Sequence, residues 1–458
     1  MRVHIPLTAE IAVARAAGRL SRLVRTGGGT TFPGKVLWKL DPGAIDRLAA
    51  RLPLGSAVIS ATNGKTTTAA MAASIFRERF RLAHNSSGAN LVSGVASTLL
   101  DARAAELGLF EVDEAALPEV LSRVKSKAVC LGNLFRDQLD RYGELEHVAE
   151  RWRSAVRALP GDAALAVNGD DPQVGELARE RPDALVFGLD DPSAARPSLQ
   201  HAADSKYCVR CGTPYVYDAA YVGHLGDYHC PACGHSRPSL DVVAREIELS
   251  GLESASFRLV TPPGTSMVRL RVPGLYNVYN ALAATSLALS VGATLQEIVS
   301  GLESFSAAFG RFERIMIGDR RLLMLLIKNP AGANEAVRTI VDGGAPTVVL
   351  VALNDGIADG RDVSWIWDVD FEPLIAGLER LVATGDRAAE LALRFKYGGL
   401  DARAIDVVPS LEAALDRGLE LTPSGGELVV LPTYTAMLGL RQIVSARGFV
   451  RPYWEHAA

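Results

Sequence analysis

The sequence predicts two successive α/β domains, a parallel-sheet nucleotide-binding domain with an inserted four-Cys ribbon and then a smaller α/β domain. Three observations predict this. Apolar runs alternate with helical text from Ala57 onward, a Gly-Lys-Thr loop joins the first such run to the first helix, and two Cys-x-x-Cys pairs interrupt the alternation. Strand and helix alternation is the mark of a parallel sheet with crossover helices. At 458 residues the chain is also too long for one ordinary core, since domains run to about 150 residues each.

The elements follow in order. Residues 1–50 form a leader, with an Arg-dotted helix, the Gly27-Gly28-Gly29 turn and a stop at Asp41-Pro42-Gly43. Then come AVIS and a helix over 66–80, LGLFEV and a helix through Leu121, and KAVCLGN and a helix near 145–159. The alternation stops near Ser193 and resumes after Pro238 with strands around 247–249 and 256–260, followed by helices over 278–291 and to about Phe305. Beyond Gly310-Arg311 the runs LLMLLI, PTVVLVAL, RLVATG, AIDVV and ELVVLP open a second α/β unit. The expected boundaries are 1–50 for the leader, 51–311 for the central domain with its insertion at about 205–237, and 312–458 for the C-terminal domain.

Hydrophobic residues make up 48% and charged ones 22%, which suits a folded globular chain. A net charge of −4, with both signs dispersed, offers no basic face for nucleic acid. No run reaches the roughly 18 to 20 apolar residues a bilayer span needs, and no signal peptide is evident, so a cytoplasmic protein is expected. Residues 11–24, with Arg15, Arg19 and Arg22, leave two readings: a helix packed on the protein, or a peripheral contact with the inner membrane face.

The chemistry concentrates in Ser60-Ala61-Thr62-Asn63-Gly64-Lys65-Thr66-Thr67-Thr68. A nucleotide loop needs small residues that turn backbone N–H groups toward phosphate, a Lys for the outer phosphates, a hydroxyl for Mg²⁺ and a helix N-terminus behind them. All four are present, although Ile59 stands where the full phosphate-loop pattern has its first Gly. Glu111 ends the second predicted strand and so reaches the same sheet edge, where a carboxylate can hold Mg²⁺.

Cys208-x-x-Cys211, eighteen residues, then Cys230-x-x-Cys233 has the spacing of two zinc knuckles, with Gly212 and Gly234 suited to the turns. Four thiolates close the coordination shell, so the zinc is structural. Cys130 lies in an apolar strand and reads as core, and His224, His229 and His235 read as ribbon-surface residues.

Together with Asn133-Leu134-Phe135-Arg136-Asp137-Gln138-Leu139-Asp140, Asn168-Gly169-Asp170-Asp171, Gly274-Leu275-Tyr276-Asn277-Val278-Tyr279-Asn280 and Gly310-Arg311-Phe312-Glu313, the loop resembles the Mur ligase superfamily in motif order. The resemblance implies ATP and Mg²⁺ as cofactors and an amine joined to a carboxylate through an acyl phosphate. It assigns Thr62, Asn63, Gly64, Lys65, Thr66 and Thr67 to ATP, Asn277 and Asn280 to the adenine side, Arg311 to a phosphate, and Thr66 and Glu111 to Mg²⁺. Tyr276 and Gln138 each stand in for a His, and Ala61 for a Gly.

The departures are informative. Only about 50 residues precede the loop, too few for a UDP-binding domain, and no lysine occurs between Lys127 and Lys206 to be carbamoylated. With the ribbon and the segments Lys328-Asn329-Pro330-Ala331-Gly332 and 353–372, the chain resembles the branch whose members are subunits of lipid II-amidating synthases. That branch implies conversion of the D-glutamate α-carboxyl of lipid II to D-isoglutamine, with ammonia from a GatD-like class I glutaminase partner. An Asp of the C-terminal domain is expected to complete that partner's catalytic triad: Asp368 first, with Asp355, Asp359, Asp362 and Asp370 as alternatives. Trp365 and Trp367 beside these carboxylates fit either a partner contact or a loop anchored by buried indoles. The rival readings are a self-sufficient Mur-type or folylpolyglutamate-type amino acid ligase, and a nucleotide-binding scaffold that does not turn over.

Overall fold

The computed structural model describes residues 7–23, 31–86, 88–137, 145–200, 203–306 and 312–451. Gly27-Gly28-Gly29, 138–143 and Arg311 lie outside the described residues.

The first sheet is built from β1 (Ser56–Ser60), β2 (Leu82–His84), β3 (Leu107–Glu111), β4 (Ser126–Leu131), β5 (Ala164–Asn168) and β6 (Leu185–Leu189). A separate hairpin, β7 (Val216–Val222) and β8 (Leu225–His229), interrupts it before β9 (Val242–Ser250), β10 (Ser254–Thr261) and β11 (Gly264–Leu270). The order is β11-β10-β9-β6-β5-β4-β1-β3-β2, parallel from β2 to β9 and antiparallel through β10 and β11. Both faces are covered, so β1 is buried throughout, with an apolar centre at Ala57–Ile59. Ala57 and Ile59 pack under the helices Lys65–Phe76 and Leu275–Val291, while Val58 packs into the opposite core with Trp152 and Val95.

The leader belongs to that second core. Helices Leu7–Leu23, Phe32–Leu40 and Ala44–Ala49 bury Ala14, Leu37 and Ile45 there. Gly34 N donates to Ser97 Oγ at 2.9 Å, and a β-carbon on Gly34 would lie 1.9 Å from Ser93 O. The first helix also buries Glu10 against Arg47 at 3.0 Å, which supports its packing on the protein. No helix among the described residues is long and apolar enough to cross a membrane.

The second sheet comprises β12 (Phe312–Ile317), β13 (Arg320–Leu325), β14 (Val348–Ala352), β15 (Arg380–Thr384), β16 (Ile405–Val407) and β17 (Glu427–Pro432). Its order is β12-β13-β17-β14-β15-β16, with β12 antiparallel and the others parallel. Alternate residues of β14 enter two cores, Val349 and Val351 into one, Val348 and Leu350 into the other. Every apolar run expected beyond residue 312 is a strand. The three-residue β2 and the edge strands β11 and β12 were not expected, since short or polar-alternating edges carry little apolar signal.

Candidate functional site

The loop after β1 turns on Gly64, whose φ of +85° is left-handed and whose β-carbon would lie 2.0 Å from Asn280 Oδ1. Only glycine fits there. The helix Lys65–Phe76 starts at once, so its unpaired N–H groups and positive dipole end face the cleft. Asn133, just past β4, holds the loop: its Oδ1 accepts from Asn63 N at 2.8 Å and its Nδ2 donates to Asn63 O at 3.1 Å. Thr62 Oγ1 accepts from Phe135 N at 3.0 Å.

Thr66 Oγ1 donates to Glu111 Oε2 at 2.7 Å, which brings together the hydroxyl and the buried carboxylate that the sequence resemblance assigns to Mg²⁺. Hard oxygen donors of this kind fit that cation. Glu111 is fixed by Asn85, which accepts from Glu111 N at 2.9 Å and donates to Glu111 O at 2.7 Å. Lys65 Nζ bonds Glu114 Oε2 at 2.7 Å and also donates to Ala61 O. Burial alone would lower the Lys65 pKa, but the carboxylates of Glu114, Asp113 and Glu111 outweigh it and hold the ammonium charged. Burial likewise pushes Glu114 up, and Lys65 and Lys328 more than reverse it, leaving the carboxylate ionised. Glu114 and Asn85 escaped the sequence reading. Glu114, three residues past Glu111, was within reach of it; Asn85 depends on β2 lying beside β3.

The second domain closes over the same loop. Asn329 caps the helix Pro330–Asp342, accepting from Gly332 N at 2.9 Å, and exchanges side-chain amide bonds with Asn63 at 3.0 and 3.2 Å. Lys328 Nζ donates to Thr62 O at 2.9 Å and to Asp137 Oδ2 at 2.6 Å. A second lysine and a second helix N-terminus therefore face the loop. Of the pair expected on the adenine side, Asn280 touches the loop directly, accepting from Thr68 Oγ1 at 3.3 Å. Asn277 stands behind it, accepting from Asn280 Nδ2 at 3.0 Å. Thr67 and Asn280 line the interdomain cleft.

The four ribbon cysteines converge, with all Sγ atoms within 4.8 Å of one another and the pairs Cys208–Cys233 and Cys211–Cys230 at 3.5 Å. Four sulfurs bound at about 2.3 Å to one tetrahedral centre stand about 3.8 Å apart, so the set fits zinc. Gly212 and Gly234 take φ of +75° and +72° in the two knuckle turns. Two of the histidines correct the surface reading. His224 and His235 are buried, because the ribbon folds back onto the domain: His224 Nε2 lies 3.3 Å from Asp171 Oδ2, and His235 bridges Tyr215 OH at 2.7 Å and Glu176 at 3.1 Å. His229 remains at the surface, paired with Asp218 at 3.0 Å. Cys130 is fully buried in β4, and burial pushes its thiol well above the ordinary range.

The candidate aspartates differ sharply in setting. Asp359 is buried and accepts from Thr435 N at 2.8 Å and Thr435 Oγ1. Asp362 caps Ser364 N at 2.8 Å. Asp355 pairs with Arg387 at 2.8 Å, and Asp370 N donates to Asn334 Oδ1 at 2.8 Å. Asp368 stands 3.6 Å from Arg136 of the central domain with its side chain 40% exposed. The two indoles differ in setting: Trp365 packs on the C-terminal core, whereas Trp367 is 47% exposed against Tyr397.

Fold and loop together define a Mur-type ligase architecture. Residues 59–214 match the Mur ligase middle domain, and residues 326–437 the MurT ligase C-terminal domain. Among solved structures, a pseudomurein peptide ligase type C from Methanothermus fervidus superposes with a TM-score of 0.69 at 20% identity over 88% of this chain and 80% of its own. A MurF structure from Acinetobacter baumannii gives 0.66 at 22% identity over 90% and 81%. In sequence, the MurT subunit of glutamine-hydrolysing lipid II isoglutaminyl synthase from Streptococcus pneumoniae is 35% identical over 95% of this chain and 97% of that protein. The Staphylococcus aureus subunit of the same name is 30% identical over 93% and 95%. The chain belongs to the MurT family.

Proposed function

We propose that this chain is the ATP-consuming subunit of a synthase that converts the D-glutamate α-carboxyl of the lipid II stem peptide to the carboxamide of D-isoglutamine. The observation that carries the reading is the convergence of Lys65, Lys328, Thr66 and Glu111 on one loop, in a chain that the Streptococcus pneumoniae MurT subunit matches over 95% of its length. The carboxylate oxygen attacks the γ-phosphorus and ADP leaves; ammonia then attacks the acyl carbon, the C–O bond breaks and phosphate departs. Lys65, Lys328 and the helix N-termini offset the charge of the transferring phosphoryl group, and positioning does most of the rest. Magnesium, when bound at Thr66 and Glu111, adds further charge neutralisation.

In this reading the ammonia comes from a second protein. A glutaminase needs an activated thiolate beside a base, and the one cysteine outside the ribbon, Cys130, is buried and donates to Ala283 O at 3.5 Å. The partner is a GatD-like class I glutaminase, with the exposed Trp367 segment and Asp368 as the contact that reaches it. Supplying the chain and glutaminase with ATP, lipid II and amide-¹⁵N-glutamine should place the label in lipid II. Incorporation of a free amino acid by the chain alone would instead establish a self-sufficient ligase.

Zinc at the four cysteines is the structural part of the proposal. One zinc per chain is expected by elemental analysis, lost in Cys208→Ser or Cys233→Ser with damage centred on the insertion. Zinc-free protein of full stability and activity would refute it.

A further inference from the structure

The ribbon hairpin does more than fold around its own metal. Its tip, Val222 to Leu225 between β7 and β8, enters the interdomain cleft, which Val222 and Leu225 line together with Phe135 and Tyr279. The same cleft runs to Gly64 and Asn63 of the loop and to Lys328. It is therefore polar at the loop and apolar at the hairpin.

The tip is braced there by several independent contacts. His224, fully buried, packs on Phe135 with ring centroids 4.6 Å apart and the planes tilted by 52°, and a β-carbon on Gly223, at φ +60°, would lie 2.7 Å from the same ring. Asp171 Oδ2 accepts both His224 Nε2 at 3.3 Å and Leu134 N at 2.8 Å, which ties the tip to the segment that carries Asn133. Gly226 N donates to Asp170 O at 2.9 Å. Asp170 in turn accepts from Tyr279 OH at 2.6 Å and from Arg237, at the end of the insertion, at 3.0 Å. The hairpin thus shapes two aromatic walls of the cleft, Phe135 from behind and Tyr279 through Asp170.

We propose that Val222 and Leu225 of the inserted hairpin are specificity-determining residues that form, with Phe135, the wall against which the nucleobase of the bound nucleotide packs. An apolar, aromatic-lined slot continuous with a phosphate loop is what a purine face requires. This rests on the ATP reading of the cleft above. It gives the insertion a direct part in nucleotide binding in addition to its metal.

The test compares binding of ADP and of inorganic tripolyphosphate, both with Mg²⁺, to wild-type chain, Val222→Ala and Leu225→Ala, with zinc content and thermal unfolding followed in parallel. Loss of a few methylenes from a base pocket is worth about tenfold. Leu225→Ala should weaken ADP by about that factor and Val222→Ala by less, with tripolyphosphate affinity and zinc content unchanged. Wild-type ADP affinity in both variants overturns the proposal. So does an equal loss for ADP and tripolyphosphate, which would mark a general collapse of the cleft. If wild-type chain binds neither probe, the ATP reading itself fails, a different result from failure of the wall.

Discussion

Lys65→Ala is expected to reduce ATP-dependent amidation by the chain and its glutaminase by about three orders of magnitude or more, the scale on which a preorganised charge at a phosphoryl transition state acts. Glu111→Ala should match it, since that carboxylate and Thr66 meet at the corner proposed to hold Mg²⁺. Neither side chain belongs to the Trp367 surface, so co-purification with the glutaminase should be unchanged. Lys65→Ala also strands Glu114, a buried carboxylate whose close partner is the lysine, so thermal unfolding should be followed alongside. A Glu114→Gln/Lys65→Ala double variant that is folded yet inactive would assign the loss to chemistry. Wild-type rates in Lys65→Ala and Glu111→Ala would remove both residues from the site.

The second large effect concerns the partner's chemistry. If a C-terminal-domain aspartate orients the glutaminase imidazole, its change to Asn should cut glutamine hydrolysis by up to about 10⁴, the scale of losing the acid of a hydrolytic triad, with ATP binding retained. Asp368 is the first candidate because it is partly exposed beside Trp367. Asp359→Asn carries a structural risk, since that side chain anchors Thr435, so its stability is measured with its activity. Normal glutamine hydrolysis by Asp355, Asp359, Asp362, Asp368 and Asp370 variants alike would end the shared-triad idea and leave the segment as a packed acidic loop.

Much of this was legible in the chain because the responsible signals are local. AVIS, LGLFEV and the AVCL of KAVCLGN are buried parallel strands, and such strands are written as largely continuous apolar runs. The Gly-Lys-Thr loop and the paired knuckles are readable because short spacing fixes their geometry. What stayed hidden depends on tertiary contact. The leader reads as a preamble, yet Leu37 and Ile45 complete the second core face. His224 and His235 read as surface because the spacing of a ribbon says nothing about where it docks. Lys328 and Asn329 stand out by resemblance alone, and their role becomes visible only when the second domain brings them to Thr62 and Asn63.

The most direct test of the central claim is mass analysis of lipid II after incubation with ATP, glutamine, the chain and a co-purified GatD-like glutaminase. The account predicts conversion of a single carboxyl to a carboxamide, located by fragmentation at the D-glutamate α-position, and dependent on both proteins and on ATP. Unchanged lipid II under those conditions, or product carrying an added amino acid, would contradict it.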